Sequence, residues 1–231
     1  MRYISAYMTK LIADFDWFPL LLSLKVAALA TVLALIIGVG LAWVFARKPF
    51  PGSSLLEAVC MLPLVLPPTV IGYVLLVAAG RRSPLGNWLR EHFDYTIIFN
   101  WHGAVVASAV VAVPLVLKAS GAAFAGIDRT LENAASTLGA PPWSVFFRIT
   151  VPLAWPGILA GALLAYARAM GEFGASLMVA GSIPGQTQTL PMAIYDAVQA
   201  GQDDRALLLV LVTSVISILV LTVSKRYFSL R

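Results

Sequence analysis

The chain has 231 residues, of which 60% are hydrophobic and 12% charged, against about 45–50% and about 25% in soluble domains. That composition excludes a soluble enzyme or binding domain. At about 20 apolar residues per crossing, these residues hold six or seven helices at most and leave no room among them for a large soluble domain. The 16 Lys and Arg exceed the 11 Asp and Glu to give +5, but the basic residues are scattered among short polar stretches, which reads as a topology signal and not a nucleic-acid footprint.

In chain order, long apolar runs predict an all-α polytopic membrane protein with about five spans, over residues 18–46, 55–79, 101–117, 149–170 and 206–223. The first run follows Asp14 and Asp16, exceeds the apolar core of a secretory signal and has no small-residue cleavage pattern after it. It is therefore expected to stay as a membrane helix. With the N-terminus outside, the inner segments hold Arg47, Lys48, Lys118, Arg129, Arg148, Lys225, Arg226 and Arg231. The outer ones hold Arg2, Lys10, Arg81, Arg82, Arg90 and Arg205, balanced by a larger set of acids that includes Asp203 and Asp204. Short, dense Arg47-Lys48 and Lys225-Arg226 favour N-out, C-in; Arg81-Arg82 opposes it.

The longest inner stretch, 118–148, carries its own helix signals. Asp128 or Thr130 can cap a short helix over 131–138, Gly139 suits the left-handed position that closes it, and Pro141-Pro142 can start a second helix. Trp143, Phe146 and Phe147 would give that second helix an apolar face. Two readings share this composition: a helix-turn-helix knob projecting into the cytoplasm, and a plain amphipathic connection lying on the bilayer.

Several polar residues stand in apolar surroundings. Arg168 and Glu172 are four apart on one helix face, close enough to pair. Such charges face a bundle interior or a wet cavity, so the pair either locks the helix to a neighbour or borders a translocation path. Pro63, Pro67 and Pro68 each free a backbone carbonyl within one span. That suits a broken helix lining a path, with Thr69 as hydroxyl donor, as well as a static kink. Lys25 lies inside the first span and either snorkels outward or sits near substrate. Gly38, Gly40, Gly157 and Gly161 suit small-residue packing, within or between subunits. Cys60 is the single cysteine, expected as a small apolar residue in a helix. The two histidines, His92 and His102, sit in one aromatic stretch, which makes no metal site.

The stretch Asn133-Ala134-Ala135-Ser136-Thr137-Leu138-Gly139, nine residues, then Ile149-Thr150-Val151-Pro152 resembles the EAA loop of ABC importer permeases. Ala134, Ala135, Gly139, Ile149 and Pro152 match the family pattern. Asn133 stands where the family has Glu, Val151 replaces Leu, and Glu132 or Asp128 is the candidate substitute for the missing acid. Two further segments, from Met61 to Tyr73 followed by Gly80-Arg81-Arg82, and from Ala167 through Gly171-Glu172-Phe173-Gly174 to Tyr195, are similar to molybdate permease subunits; the Gly-Glu-Phe-Gly element is also similar in sulfate permeases.

The resemblance implies a single permease domain over 1–231 with a coupling loop at 128–152, in the cytoplasmic (inner) membrane of a prokaryote. It implies a second copy of the chain, two ABC ATPase subunits and an extracytoplasmic oxyanion-binding protein as partners. No G-x-x-x-x-G-K-[ST] phosphate loop is present, so ATP and Mg are expected in the ATPase, with no cofactor in this chain. The expected substrate is molybdate, with tungstate or sulfate and thiosulfate as alternatives. The different-class alternative is an autonomous channel or secondary transporter. An embedded enzyme lacks a catalytic cluster.

Overall fold

The computed structural model describes residues 16–47 and 50–229, with side chains left out at 220, 221 and 223–229. The flanking charges expected at Arg2, Lys10, Asp14, Lys48 and Arg231 lie outside the described residues, and the side chains of Lys225 and Arg226 are among those left out. Among the described residues every regular element is helical: α1 (Phe18–Arg47), α2 (Ser53–Val65), α3 (Pro68–Ala79), α4 (Pro84–Phe93), α5 (Trp101–Ala125), α6 (Arg129–Thr137), α7 (Pro142–Val145), α8 (Val151–Met170), α9 (Gly174–Ala180), α10 (Leu190–Gln199) and α11 (Asp203–Ser229).

The hub is α5, buried along most of its length between α1, α8 and α9. Its seams are built from small residues: Ala27, Ala30 and Ala34 of α1, Ala104, Ala107 and Ala112 of α5, and Ala165 of α8 are all at or near zero exposure. Without bulk at these positions the backbones approach closely, which is how helices associate where lipid offers no hydrophobic driving force. A methyl group on Gly157 would lie 2.4 Å from Cβ of Ala123, and one on Gly161 3.0 Å from Cβ of Ala119. The Gly157 and Gly161 pair therefore packs within the chain, α8 on α5. Gly38 likewise meets Val116, whereas Gly40 has nothing of its own chain within 4 Å.

Three helical stretches are long and apolar enough to cross a membrane, at Phe18–Arg47, Trp101–Ala125 and Pro142–Met170. Over the expected span 55–79, α2 and α3 bend by 114° at their junction, as a broken span or a re-entrant loop does. Leu66 precedes Pro67 and is held extended, with ψ 143°, because proline bars the residue before it from the helical region. Pro68 then restarts the helix at a position where a missing N–H costs nothing. The third span runs on past residue 117 to Ala125, which places Lys118 inside α5, paired at 3.0 Å with Glu57 of α2. The fifth run lies within the 27-residue α11.

The fourth span starts earlier than expected. α7 runs through a π-helical turn, Phe146–Thr150, directly into α8, so the second helix expected of the loop is the first turn of the span itself. Pro152 accounts for the π-helical turn: it has no N–H for the carbonyl of Arg148 and its ring presses on that turn. The helix widens, and the N–H of Val151 bonds the carbonyl of Phe146.

Candidate coupling loop and helix-break site

The first candidate site is built at one end of the bundle, called here the loop end. Asp128 opens α6 by accepting the N–H of Thr130 at 2.9 Å. Hydrogen bonds from Thr130, side chain first and backbone second, hold the Asp128 carboxyl below its ordinary value. Gly139 closes the helix at φ +84°. The N–H of Ala140 reaches the carbonyl of Ala135 at 3.1 Å and that of Gly139 the carbonyl of Ser136 at 3.0 Å, the paired bonds of a Schellman ending that requires a left-handed residue. Both cap positions were legible in the sequence.

What fastens this helix is Glu132. Its carboxylate meets Nε of Arg47, the last residue of α1, at 2.9 Å, and accepts from Nη2 at 3.0 Å. It also accepts the hydroxyl of Thr150 at 2.6 Å. The two charged side chains are only 11% and 13% exposed, so the pair is shielded from solvent. Arg129 adds a bond from Nη2 to the carbonyl of Ala46 at 3.0 Å. One carboxylate thus joins α6 to the end of α1 and to the π-helical turn that begins the fourth span.

Glu132, a candidate for the acid missing at Asn133, thus faces its own chain, and the other candidate, Asp128, caps α6. Asn133 and Ala134 are exposed and Ala135 half-buried. Around them Leu131 (50% exposed), Leu138 (89%), Trp143 (66%) and Phe147 (65%) form an apolar rim. Phe146, grouped with Trp143 and Phe147 in the sequence reading, turns inward instead, its ring 5.2 Å from Trp43 and 6.3 Å from Phe124. Ile149 is half-buried and Pro152 exposed, in the turn that connects the loop to α8.

The second candidate site is where two helix breaks meet. α8 ends at Gly171, and α9 begins three residues later at Gly174. Glu172, with its side chain 1% exposed, pairs with Nη1 of Arg168 at 2.7 Å. Its other oxygen accepts the N–H of Ala175 at 2.8 Å, in the first turn of α9, where a negative charge is favoured by the helix dipole. A methyl group on Gly174 would lie 3.0 Å from Cβ of Pro68 and 3.6 Å from the backbone N of Thr69, so the α8–α9 break faces the α2–α3 break. Gly72 repeats the contact one turn on, against Met178 and Ala175.

Arg168 lies about 26 Å along α8 from Val151, toward the far end of the bundle. Its neighbours Ala169 and Met170 pack among Val26, Ala27 and Ala30 of α1 and Ala104 and Val105 of α5. The pair is inside the bundle, with Arg168 keeping 32% of its side chain exposed. Thr69 is exposed in the first turn of α3, adjacent to the break but without a hydrogen bond to Arg168 or Glu172.

Sequence reasoning missed the network that stiffens the loop before α10. Asp196 accepts Oγ of Ser182 at 2.5 Å and Nε2 of Gln188 at 2.6 Å. Thr187 donates to the carbonyl of Gly181 and accepts from the N–H of Ile183, each at 3.1 Å. The signal was present in the polar run from Gln186 to Thr189 beside a lone Asp on an apolar helix.

Comparison with known proteins agrees with this geometry. Residues 34–230 match the family described as binding-protein-dependent transport system inner membrane component. The chain is 45% identical over 216 residues to the molybdenum transport system permease protein ModB of Escherichia coli strain K12, covering 93% of this chain and 94% of that one. It is 47% identical over 205 residues to ModB of Haemophilus influenzae, covering 88% and 90%. In fold it is similar to a solved bacterial ABC transporter involved in import of the acidic polysaccharide alginate, with TM-score 0.73 and 14% identity, over 92% of this chain and 78% of that one. The chain belongs to the inner-membrane permease family of binding-protein-dependent ABC importers.

Proposed function

We propose that this chain is the pore-forming subunit through which an ATP-driven importer takes up molybdate across the cytoplasmic membrane. The observation that carries the reading is the loop from Asp128 to Pro152: a short capped helix with an exposed apolar rim, fastened through Glu132 to Arg47 and Thr150. A helix so held passes a push from a docked subunit into two spans at once. The relatives named for molybdenum transport supply the substrate class.

In this reading two copies form the pore, two ATPase subunits holding ATP and Mg dock on the Ala134, Ala135 and Gly139 loops, and an extracytoplasmic protein delivers the oxyanion. The loop end is cytoplasmic and the N-terminus lies outside, supported by Arg47, Lys118, Arg129 and Arg148 at that end. The exposed part of Arg168 offers a passing dianion a positive charge that Glu172 partly screens, so the anion is attracted without being trapped. Thr69 adds a hydroxyl at the same break. The test is uptake of labelled molybdate by cells carrying the complete transporter. Tungstate, of nearly the same size and charge, is expected to compete and excess sulfate is not; uptake abolished by sulfate would move the assignment to the sulfate branch.

A further inference from the structure

At the far end of the bundle a cavity of about 600 Å³ opens between the start of α1, the residues before α5 and the loop before α10. Its walls divide by chemistry. Phe18, Leu21, Leu22 and Phe99 are apolar, while Lys25, Asn100, Gln186 and Thr187 are polar. Among the described residues no carboxylate lines it. The Lys25 ammonium lies 3.6 Å from the centre of the Trp101 ring, a contact that holds the cation but leaves its N–H groups available, and no ion pair to a carboxylate forms at Lys25 among the described residues. Asn100 is oriented by His102, whose backbone N–H and ring Nδ1 both meet Oδ1, at 3.3 Å and 2.9 Å. With that oxygen occupied, the Asn100 amide presents its NH₂ as a donor, and Gln186 brings a second amide. Phe99 is fixed at φ +58° by its N–H bond to the carbonyl of Val179 at 2.9 Å.

Among the described residues, the donors share this cavity with no acid lining it beside them, which is the chemistry of an anion site. Its position says which anion. Lys25 stands on a stripe of α1 that is otherwise apolar and outward-facing: Leu21 (61% exposed) above it, and Leu29 (41%), Val32 (51%) and Ile36 (68%) running from it toward mid-span. These residues recur at helical spacing on one face, so the polar pocket continues directly into a surface suited to hydrocarbon. Trp101 and Phe99 sit at the junction, where aromatic rings mark the membrane–water boundary.

We propose that this cavity is a binding site for the phosphate headgroup of an anionic phospholipid of the leaflet at the far end, with Lys25, Asn100 and Gln186 on the phosphate and an acyl chain along Leu29, Val32 and Ile36. The site holds α1, α5 and the loop before α10 together from the lipid side, at the level where Leu190 N–H already bonds Oγ of Ser23 at 2.7 Å. The phosphate could come from lipid or from solution, and the stripe commits the site to lipid.

The test is native mass spectrometry of the full-length protein in its complex, released from detergent micelles and titrated with phosphatidylglycerol, with phosphatidylcholine, and with inorganic phosphate as competitor. Wild type is expected to retain one phosphatidylglycerol per chain in preference to phosphatidylcholine, unaffected by millimolar phosphate. Lys25→Gln is expected to weaken that adduct about fivefold, the weight of one cation against an anionic lipid, and Lys25→Arg to restore it. Equal retention in Lys25→Gln, with the variant shown folded by its unchanged complex mass, would overturn the proposal. Displacement by inorganic phosphate would overturn it in favour of a soluble anion. Loss of chain–chain association in Lys25→Gln without change in lipid retention would overturn it in favour of a second copy of the chain.

Discussion

Glu132 shows what a single carboxylate does at a junction. Its neighbours are a guanidinium at a helix end and a hydroxyl at a π-helical turn, and all three lie where water is scarce. Removing either charged member leaves the other charge shielded and unpaired, at a cost of about 3–5 kcal/mol. Glu132→Ala and Arg47→Ala are each expected to lower the thermal midpoint of the detergent-purified complex, and the double variant to lose less than the sum of the two, as a double-mutant cycle would register. Asp128 gives a pH-dependent counterpart. Its folded carboxyl titrates below the ordinary value of 3.8, so the cap contributes fully above that value and its contribution is lost as pH falls through the lowered one. Hydrogen exchange at Thr130 compared between wild type and Asp128→Asn is expected to show extra protection at neutral pH that disappears in strong acid.

At the scale of elements, the turn that ends α6 and the α2–α3 break each rest on one glycine. The α6 ending depends on Gly139 at φ +84°, a region that costs a side chain about 1–2 kcal/mol. Gly139→Val is expected to leave membrane insertion intact, read by fractionation, while abolishing substrate uptake, because α6 then leaves the turn at a different angle. At the other break, Gly72 allows α3 to lie against α9, where a Cβ would meet Met178 at 2.6 Å and the Ala175 backbone at 3.0 Å. Gly72→Val is expected to separate the two helices and lower the thermal midpoint by several degrees.

The legibility of these elements divides along the same physical line. Caps depend on residues within four positions of one another, so Asp128, Gly139 and the Arg168–Glu172 pairing were readable from spacing. The continuity of α7 with α8 was not, because Pro141 and Pro142 give the same local signal for a separate helix as for the first turn of a long one. Nor was the inward turn of Glu132: at the surface of an isolated helix it is one solvated acid among several, and only packing against α1 brings Arg47 to it. Proline spacing located the α2–α3 break but left open a broken helix lining a path or a static kink, since spacing alone does not give the size of the bend, which is 114°.

For the whole molecule, the polarity of the bundle follows from where its charges and apolar rims fall. If the loop end is cytoplasmic, a Ser136→Cys reporter in a Cys60→Ser background is expected to react with a membrane-impermeant thiol reagent only in inside-out vesicles, and a Gln202→Cys reporter only in right-side-out ones. Apolar side chains that stay exposed, such as Val65 (81%) and Leu55 (71%) on α2, stand where lipid or another chain, not water, completes the surface.

Force transmission through the loop makes transport depend on a separate ATPase. Proteoliposomes containing the purified permease with its ATPase subunits, ATP trapped on the loop side and the binding protein on the other, are to be compared with proteoliposomes containing the permease alone under an imposed ion gradient, both scored for labelled molybdate uptake. Uptake is expected only in the first set and only with hydrolysable ATP. Equal uptake by the permease alone would contradict force transmission through the loop and make the chain an autonomous channel or secondary transporter.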